Sequence, residues 1–175
     1  MPQRTSGCSS RALHCPVVAS APRARDGLTV SKSIVAPGDA HAVFDALVSE
    51  EAVEQWMTSA VCIDPVLGGE IRIDTQGWPV VTGEIIAFEP PRLFAVAWQR
   101  EDWGVTLHTT IKVVTEGDQT RLVLDEVGHG NDADLLRTRD YLWSHWLVRL
   151  TATVAQGQGP GIDQRRAGHG ALPLA

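Results

Sequence analysis

Cysteines, tyrosines and long apolar runs are scarce in this chain of 175 residues, and each scarcity removes a class of function. No stretch approaches the roughly 18 apolar residues that a membrane-spanning helix requires. Three cysteines, Cys8, Cys15 and Cys62, make no even disulfide framework and show no metal-ligand spacing, which fits a reducing, cytoplasmic setting. A Gly-rich phosphate loop, a nucleophile elbow and a paired Cys/His motif are all missing. Gly68-Gly69 opens a strand and not a helix, so it reads as a turn and not as a phosphate cradle. The Gly-His-Gly segments at 128–130 and 168–170 are too short to form a repeat. No metal and no cofactor is expected.

Basic residues are also scarce where a body can form. The segment 28–155 holds 9 Lys and Arg against 19 Asp and Glu, a formal net charge of −10, compared with −6 for the whole chain. Such a body repels a phosphate backbone, so nucleic acid is not an expected partner. The arginines lie instead in residues 1–27, where Arg4, Arg11, Arg23 and Arg25 face only Asp26 and no hydrophobic period is sustained. We expect a disordered N-terminal arm there, and a second loose segment in the glycine-rich stretch 156–175. Ala12 to Ala21 has a signal-like outline ending in Ala19-Ser20-Ala21. Its apolar run is short and broken by His14 and Pro16, so export is not expected.

What the body does have is a clear order of periods. Leu28 to Val35 alternates as a first strand, and Pro37 and Asp39 open a helix carrying Val43, Phe44, Leu47 and Val48. Ser49, followed by Glu50 and Glu51, marks the N-cap of a second short helix through Val53 and Trp56. Strands follow at Glu70–Asp74 and Val80–Glu89, where Pro90-Pro91 ends the ladder. Phe94, Val96 and Trp98 then share one face, and Val105, Leu107, Thr109, Ile111 and Val113 the next. Gly117-Asp118 turns the chain into a strand with Leu122, Leu124 and Glu126 on one side. A long helix starts near Asp132 or Asp134 and runs to about Ala155, with Trp143, Trp146, Leu147, Leu150 and Val154 on one stripe.

This order, with Ile34-Val-Ala-Pro37, Glu54-Gln-Trp56, Gly68-Gly-Glu-Ile-Arg-Ile-Asp74, Gly83-Glu-Ile-Ile-Ala-Phe-Glu-Pro-Pro-Arg92, Trp98, Thr120-Arg-Leu-Val-Leu124 and Trp143 with Leu147 and Leu150, resembles a known family. It is the activator of heat-shock-protein-90 ATPase homologue-like family of the START-like or SRPBCC superfamily, and the resemblance covers about Ser33 to Val154. It implies an α+β helix-grip fold: a curved antiparallel sheet wrapped around a long C-terminal helix, with two short helices after the first strand. It also implies a cavity between sheet and helix for hydrophobic or aromatic molecules. Some superfamily members perform cyclase or dehydratase chemistry there, and the eukaryotic relatives are co-chaperones. Two positions depart from the pattern. Leu142 stands where the family usually has glycine, adding volume on or beside the helix, and Glu126 stands where a histidine or another polar residue often ends the strand.

The expected function is therefore binding of a small hydrophobic or aromatic ligand, without turnover. Alternatives are a cyclase or dehydratase using Glu126 as acid or base, and a stress-response or co-chaperone-like module that binds protein. The candidate ligand-binding residues are Trp56, Trp78, Phe94, Trp98, Trp103, Leu107, Leu124, Glu126, Tyr141, Trp143 and Trp146. Tryptophan suits such a site because it joins a large apolar surface to one N–H donor, although on a buried helical stripe it serves equally as core. Strand parity points Glu126 inward, where a carboxylate is paired, hydrated or protonated. Desolvation there raises its pKa toward acid–base work, and a salt bridge to Arg139 is the plainer alternative. His108 is expected to face solvent, His129 to lie in a loop, and His145 to pair with Tyr141 one helical turn away.

Overall fold

The computed structural model describes residues 28–157; the expected arm at 1–27 and all but the first two residues of the expected tail at 156–175 lie outside the described residues. Ten elements follow one another: β1 (Val30–Pro37), α1 (Ala40–Val48), α2 (Glu50–Met57), β2 (Ala60–Ile63), β3 (Glu70–Asp74), β4 (Val81–Glu89), β5 (Leu93–Gln99), β6 (Leu107–Glu116), β7 (Gln119–Val127) and α3 (Ala133–Gly157). The strands form one antiparallel sheet in the order β1-β7-β6-β5-β4-β3-β2, so every neighbour except the β1–β7 pair is also consecutive in sequence. This is the expected α+β helix-grip fold. Alternation along β6 and β7 sends Leu107, Thr109, Ile111 and Val113, with Leu122, Leu124 and Glu126, to the concave face, where α3 lies.

Local chemistry sets the helix ends. Asp39 caps α1 by accepting the Ala42 N–H at 2.8 Å, as a short acidic side chain in extended backbone does well. Ser49 stands at the start of α2 as expected, but its side chain makes no cap bond; Glu50 and Glu51 supply the favourable charge on that first turn. Thr58 ends α2 in the left-handed region at φ 58°. Asp132 Oδ1 caps α3 by accepting the N–H groups of Asp134 and Leu135. Two residues beyond the expected end carry α3 to Gly157.

The short strand β2 escapes sequence patterning because four residues are too few to show a period. It is held by its pairing with β3 and by α2: Glu54 accepts the Val61 N–H at 3.2 Å and Glu50 the Ile63 N–H at 2.9 Å. Carboxylates one helical turn apart thus meet strand N–H groups two residues apart. On the other side, Arg149 of α3 donates to the Gln55 carbonyl, and Trp56 Nε1 donates to the Ala46 carbonyl at 2.8 Å, tying the three helices together.

Gly83 shows how tightly the sheet is packed beneath its aromatic residues. A β-carbon there would lie 2.6 Å from Trp98 Cε3 and 2.6 Å from Val96 Cγ1, closer than any relaxed contact. Gly83→Ala is therefore expected to destabilise the fold by about 1–3 kcal/mol through overpacking. Urea denaturation checks this, and an unchanged midpoint would mean that Trp98 has free room to move.

Candidate functional site

A cavity lies inside the grip, on the side of the sheet away from β1 and β7. Its wall is built by Leu47 of α1, Val53, Trp56 and Met57 of α2, Val61 and Ile63 of β2, and Ile71 and Ile73 of β3. Phe94, Val96 and Trp98 of β5, Thr109 and Ile111 of β6, and Trp143 of α3 complete it. Thr109 is the one hydroxyl in this wall. The space open to the centre of a water molecule is about 20 Å³, just above the roughly 10–15 Å³ that one water needs. Leu142 does not fill the cavity, because it is half-buried and not part of the wall.

Beside the cavity, behind Trp143 and Thr109, sits a buried polar cluster centred on Glu126. Its carboxylate accepts Arg139 Nε on Oε1 at 2.8 Å and Arg139 Nη2 on Oε2 at 2.5 Å, a two-pronged pairing. Oε2 also accepts Trp143 Nε1 at 2.8 Å and the Thr109 hydroxyl at 2.5 Å, while Oε1 lies 3.1 Å from His129 Nε2. Glu126 and His129 are 0% and 1% exposed, and Arg139 5%, so the three side chains are removed from solvent together. Burial pushes the Glu126 carboxyl upward. The Arg139 and His129 hydrogen bonds, the Arg139 charge and Thr109 outweigh it and hold the carboxyl well below the usual carboxylate range. That is opposite in direction to the rise expected from desolvation alone.

His129 reaches Glu126 because Gly128, at φ 105°, turns the chain back after β7. A β-carbon at Gly128 would meet the Thr106 carbonyl oxygen at 2.3 Å. The other ring nitrogen of His129, Nδ1, faces the Leu28 carbonyl at 3.1 Å. Both neighbours are acceptors, so the ring is held between two groups that each take an N–H. Arg139 is enclosed in turn by indoles, its guanidinium carbon lying 5.5 Å from the ring centres of Trp103, Trp143 and Trp146.

The candidate residues divide into four groups. Trp56, Phe94, Trp98 and Trp143 line the cavity. Glu126, Trp103 and Trp146 belong to the polar cluster and its indole cage. Leu107 and Leu124 are fully buried core residues outside the cavity wall, which is displaced toward β2 and β3. Trp78 and Tyr141 are a correction: they are 66% and 69% exposed and reach neither feature. Trp78 stands in the turn beyond the ends of β3 and β4. Tyr141 precedes Trp143 by two residues, about 200° around the helix, so it points away from the sheet and stacks on His145, 6.4 Å away and 5° from parallel. His108 lies on the convex face but is half-buried there, not fully in solvent.

Sequence reasoning named Trp56 of α2 but missed Val53, Met57 and the β2 and β3 walls, and it missed His129 as a buried partner. The alternation of Ile71 and Ile73 was the available signal for the first. Among the described residues there is no group of three or more His, Cys, Asp or Glu side chains placed to hold a metal ion, and no helix long and apolar enough to cross a membrane.

Comparison with known proteins agrees with this architecture. The profile of the family described as Activator of Hsp90 ATPase homolog 1-like protein matches residues 38–155. No curated protein matches the sequence. Among solved structures, protein MLL2253 from Mesorhizobium loti superimposes with a TM-score of 0.68 at 17% identity, over 73% of this chain and 97% of that one. The Aha1 dimer from Colwellia psychrerythraea gives 0.64 at 18% identity, over 75% and 98%. PFC0360w, an HSP90 activator from Plasmodium falciparum, gives 0.63 at 14% identity, over 74% and 97%. At these identities the likeness is one of fold. With two thirds of its length matched by the profile, and with the sheet, the long helix and the paired short helices in place, the chain belongs to the Activator of Hsp90 ATPase homolog 1-like protein family.

Proposed function

We propose that this protein binds a small apolar molecule in the cavity between the sheet, α2 and Trp143, and releases it unchanged. The observation that supports this reading is a wall of thirteen apolar side chains and one hydroxyl, drawn from all three helices and four strands. A space with so apolar a wall is stabilised by an apolar occupant. Turnover has less support, because the one buried carboxylate among the described residues accepts from four donor atoms, lies against His129 and is not part of the cavity wall. We place the protein in a reducing, cytoplasmic compartment, a reading supported by Cys62, which is exposed and free.

Solvent extraction of freshly purified protein, followed by mass-spectrometric identification of what is released, tests the reading. The expected result is a stoichiometric apolar molecule that is lost when Val61→Phe fills the cavity. Nothing released, together with no tryptophan-fluorescence response to apolar titrants, would overturn it. Binding of a protein partner, in the manner of the HSP90 activator with the same fold, would then take its place.

A further inference from the structure

We infer that the occupant of the cavity belongs to a narrow chemical class: a molecule with no hydrogen-bond acceptor, that is, a hydrocarbon, and not a ketone, acid, ether or nitrogen heterocycle. The inference rests on the binding reading above and deepens it. Three of the cavity's walls are indoles, and an indole N–H is the donor that a pocket of this kind would ordinarily offer to a ligand. Here all three donors are turned outward and used. Trp56 Nε1 donates to the Ala46 carbonyl at 2.8 Å, Trp98 Nε1 to the Thr109 hydroxyl oxygen at 3.0 Å, and Trp143 Nε1 to Glu126 Oε2 at 2.8 Å. The hydroxyl of Thr109 carries one hydrogen, and that hydrogen goes to Glu126 Oε2 at 2.5 Å. No side-chain donor of the wall remains for a ligand.

The consequence is sharper than apolarity alone. An acceptor entering this space gives up its hydrogen bonds to water and regains none. It could recover one only by taking a donor from Glu126, from the Thr109 oxygen or from the Ala46 carbonyl, leaving a buried acceptor short. The anionic carboxylate behind Thr109 and Trp143 further opposes an acid. Trp98, Thr109, Glu126 and Trp143 therefore form a relay in which each donor is satisfied by the next group back from the cavity, and the wall facing the ligand is left bare.

Benzene and pyridine have the same shape and differ by one acceptor, so they test the point when titrated at pH 8, where pyridine is neutral. The readout is the set of indole N–H resonances in ¹H–¹⁵N spectra. Xenon serves as a smaller apolar probe, and Met57→Ala makes more room beside the same donors. The expected result is binding of xenon, binding of benzene in Met57→Ala, where the side chain's removal makes the room, and pyridine at least about tenfold weaker than benzene there. Pyridine binding as tightly as benzene would overturn this inference and leave the binding reading standing. Silence from xenon and benzene in both proteins would overturn the two together.

Discussion

Glu126→Gln is expected to lower the free energy of unfolding by about 3–5 kcal/mol, seen as a fall in the urea midpoint at neutral pH. The carboxylate holds the buried Arg139 guanidinium through two hydrogen bonds, accepts from Trp143 and Thr109, and lies against His129 Nε2. Glutamine would present one oxygen and one N–H₂ group where every neighbour donates, and the Arg139 charge would stay buried without its counter-charge. A loss below about 1 kcal/mol would mean that water replaces these bonds and that the cluster does not join helix to sheet. The same group fixes a pH dependence. Its folded pKa is depressed from the ordinary 4.5, so its contribution is fully present above that value and is lost as the pH falls below it. Wild-type stability should therefore decline through the acid range, and the gap between wild type and Glu126→Gln should narrow as it does.

Trp143→Ala is expected to cost a similar amount, about 3–5 kcal/mol, for a different reason. Trp143 is 2% exposed, meets Trp146 edge to face at 5.2 Å, lies against Arg139 and forms part of the cavity wall. Truncation removes this packing and also one of the Glu126 donors. The two effects separate in a double-mutant cycle with Glu126→Gln: a coupling of about 1 kcal/mol or more is expected if the N–H bond carries part of the loss. Additive costs would assign the role of Trp143 to packing alone, and a cost for Trp143→Ala below about 1.5 kcal/mol would remove it from the core.

Much of this arrangement was legible from the order of residues because strand parity and helical stripes are local. Two-residue spacing from Leu122 and Leu124 places Glu126 indoors, and three- and four-residue steps place Trp143 with Leu147 and Leu150. The balance of forces on Glu126 was not legible, since it depends on groups that meet only in three dimensions. Arg139 arrives from α3, Thr109 from β6, and His129 from a loop folded back by a glycine at positive φ. The orientation of the indole N–H groups was equally hidden. Trp98 finds Thr109 because the register opposes Trp98 to Leu107, which brings the hydroxyl two residues further along β6 within reach. Trp78 and Tyr141 misled for the converse reason: an aromatic residue in a turn or on a helix carries no mark of the side it faces.

The carboxylates that α2 extends toward β2 also bear on the behaviour of the protein among copies of itself. A sheet margin with bare N–H groups invites another chain to add to it, and repeated addition leads to aggregation. In this fold the second strand is four residues long, and Glu50 and Glu54 already occupy two of its N–H groups. Beside that margin a helix stands in for the missing eighth strand, offering acceptors without offering a ladder that could be propagated. The same short helix that walls the cavity thereby guards this margin of the sheet against edge-to-edge pairing.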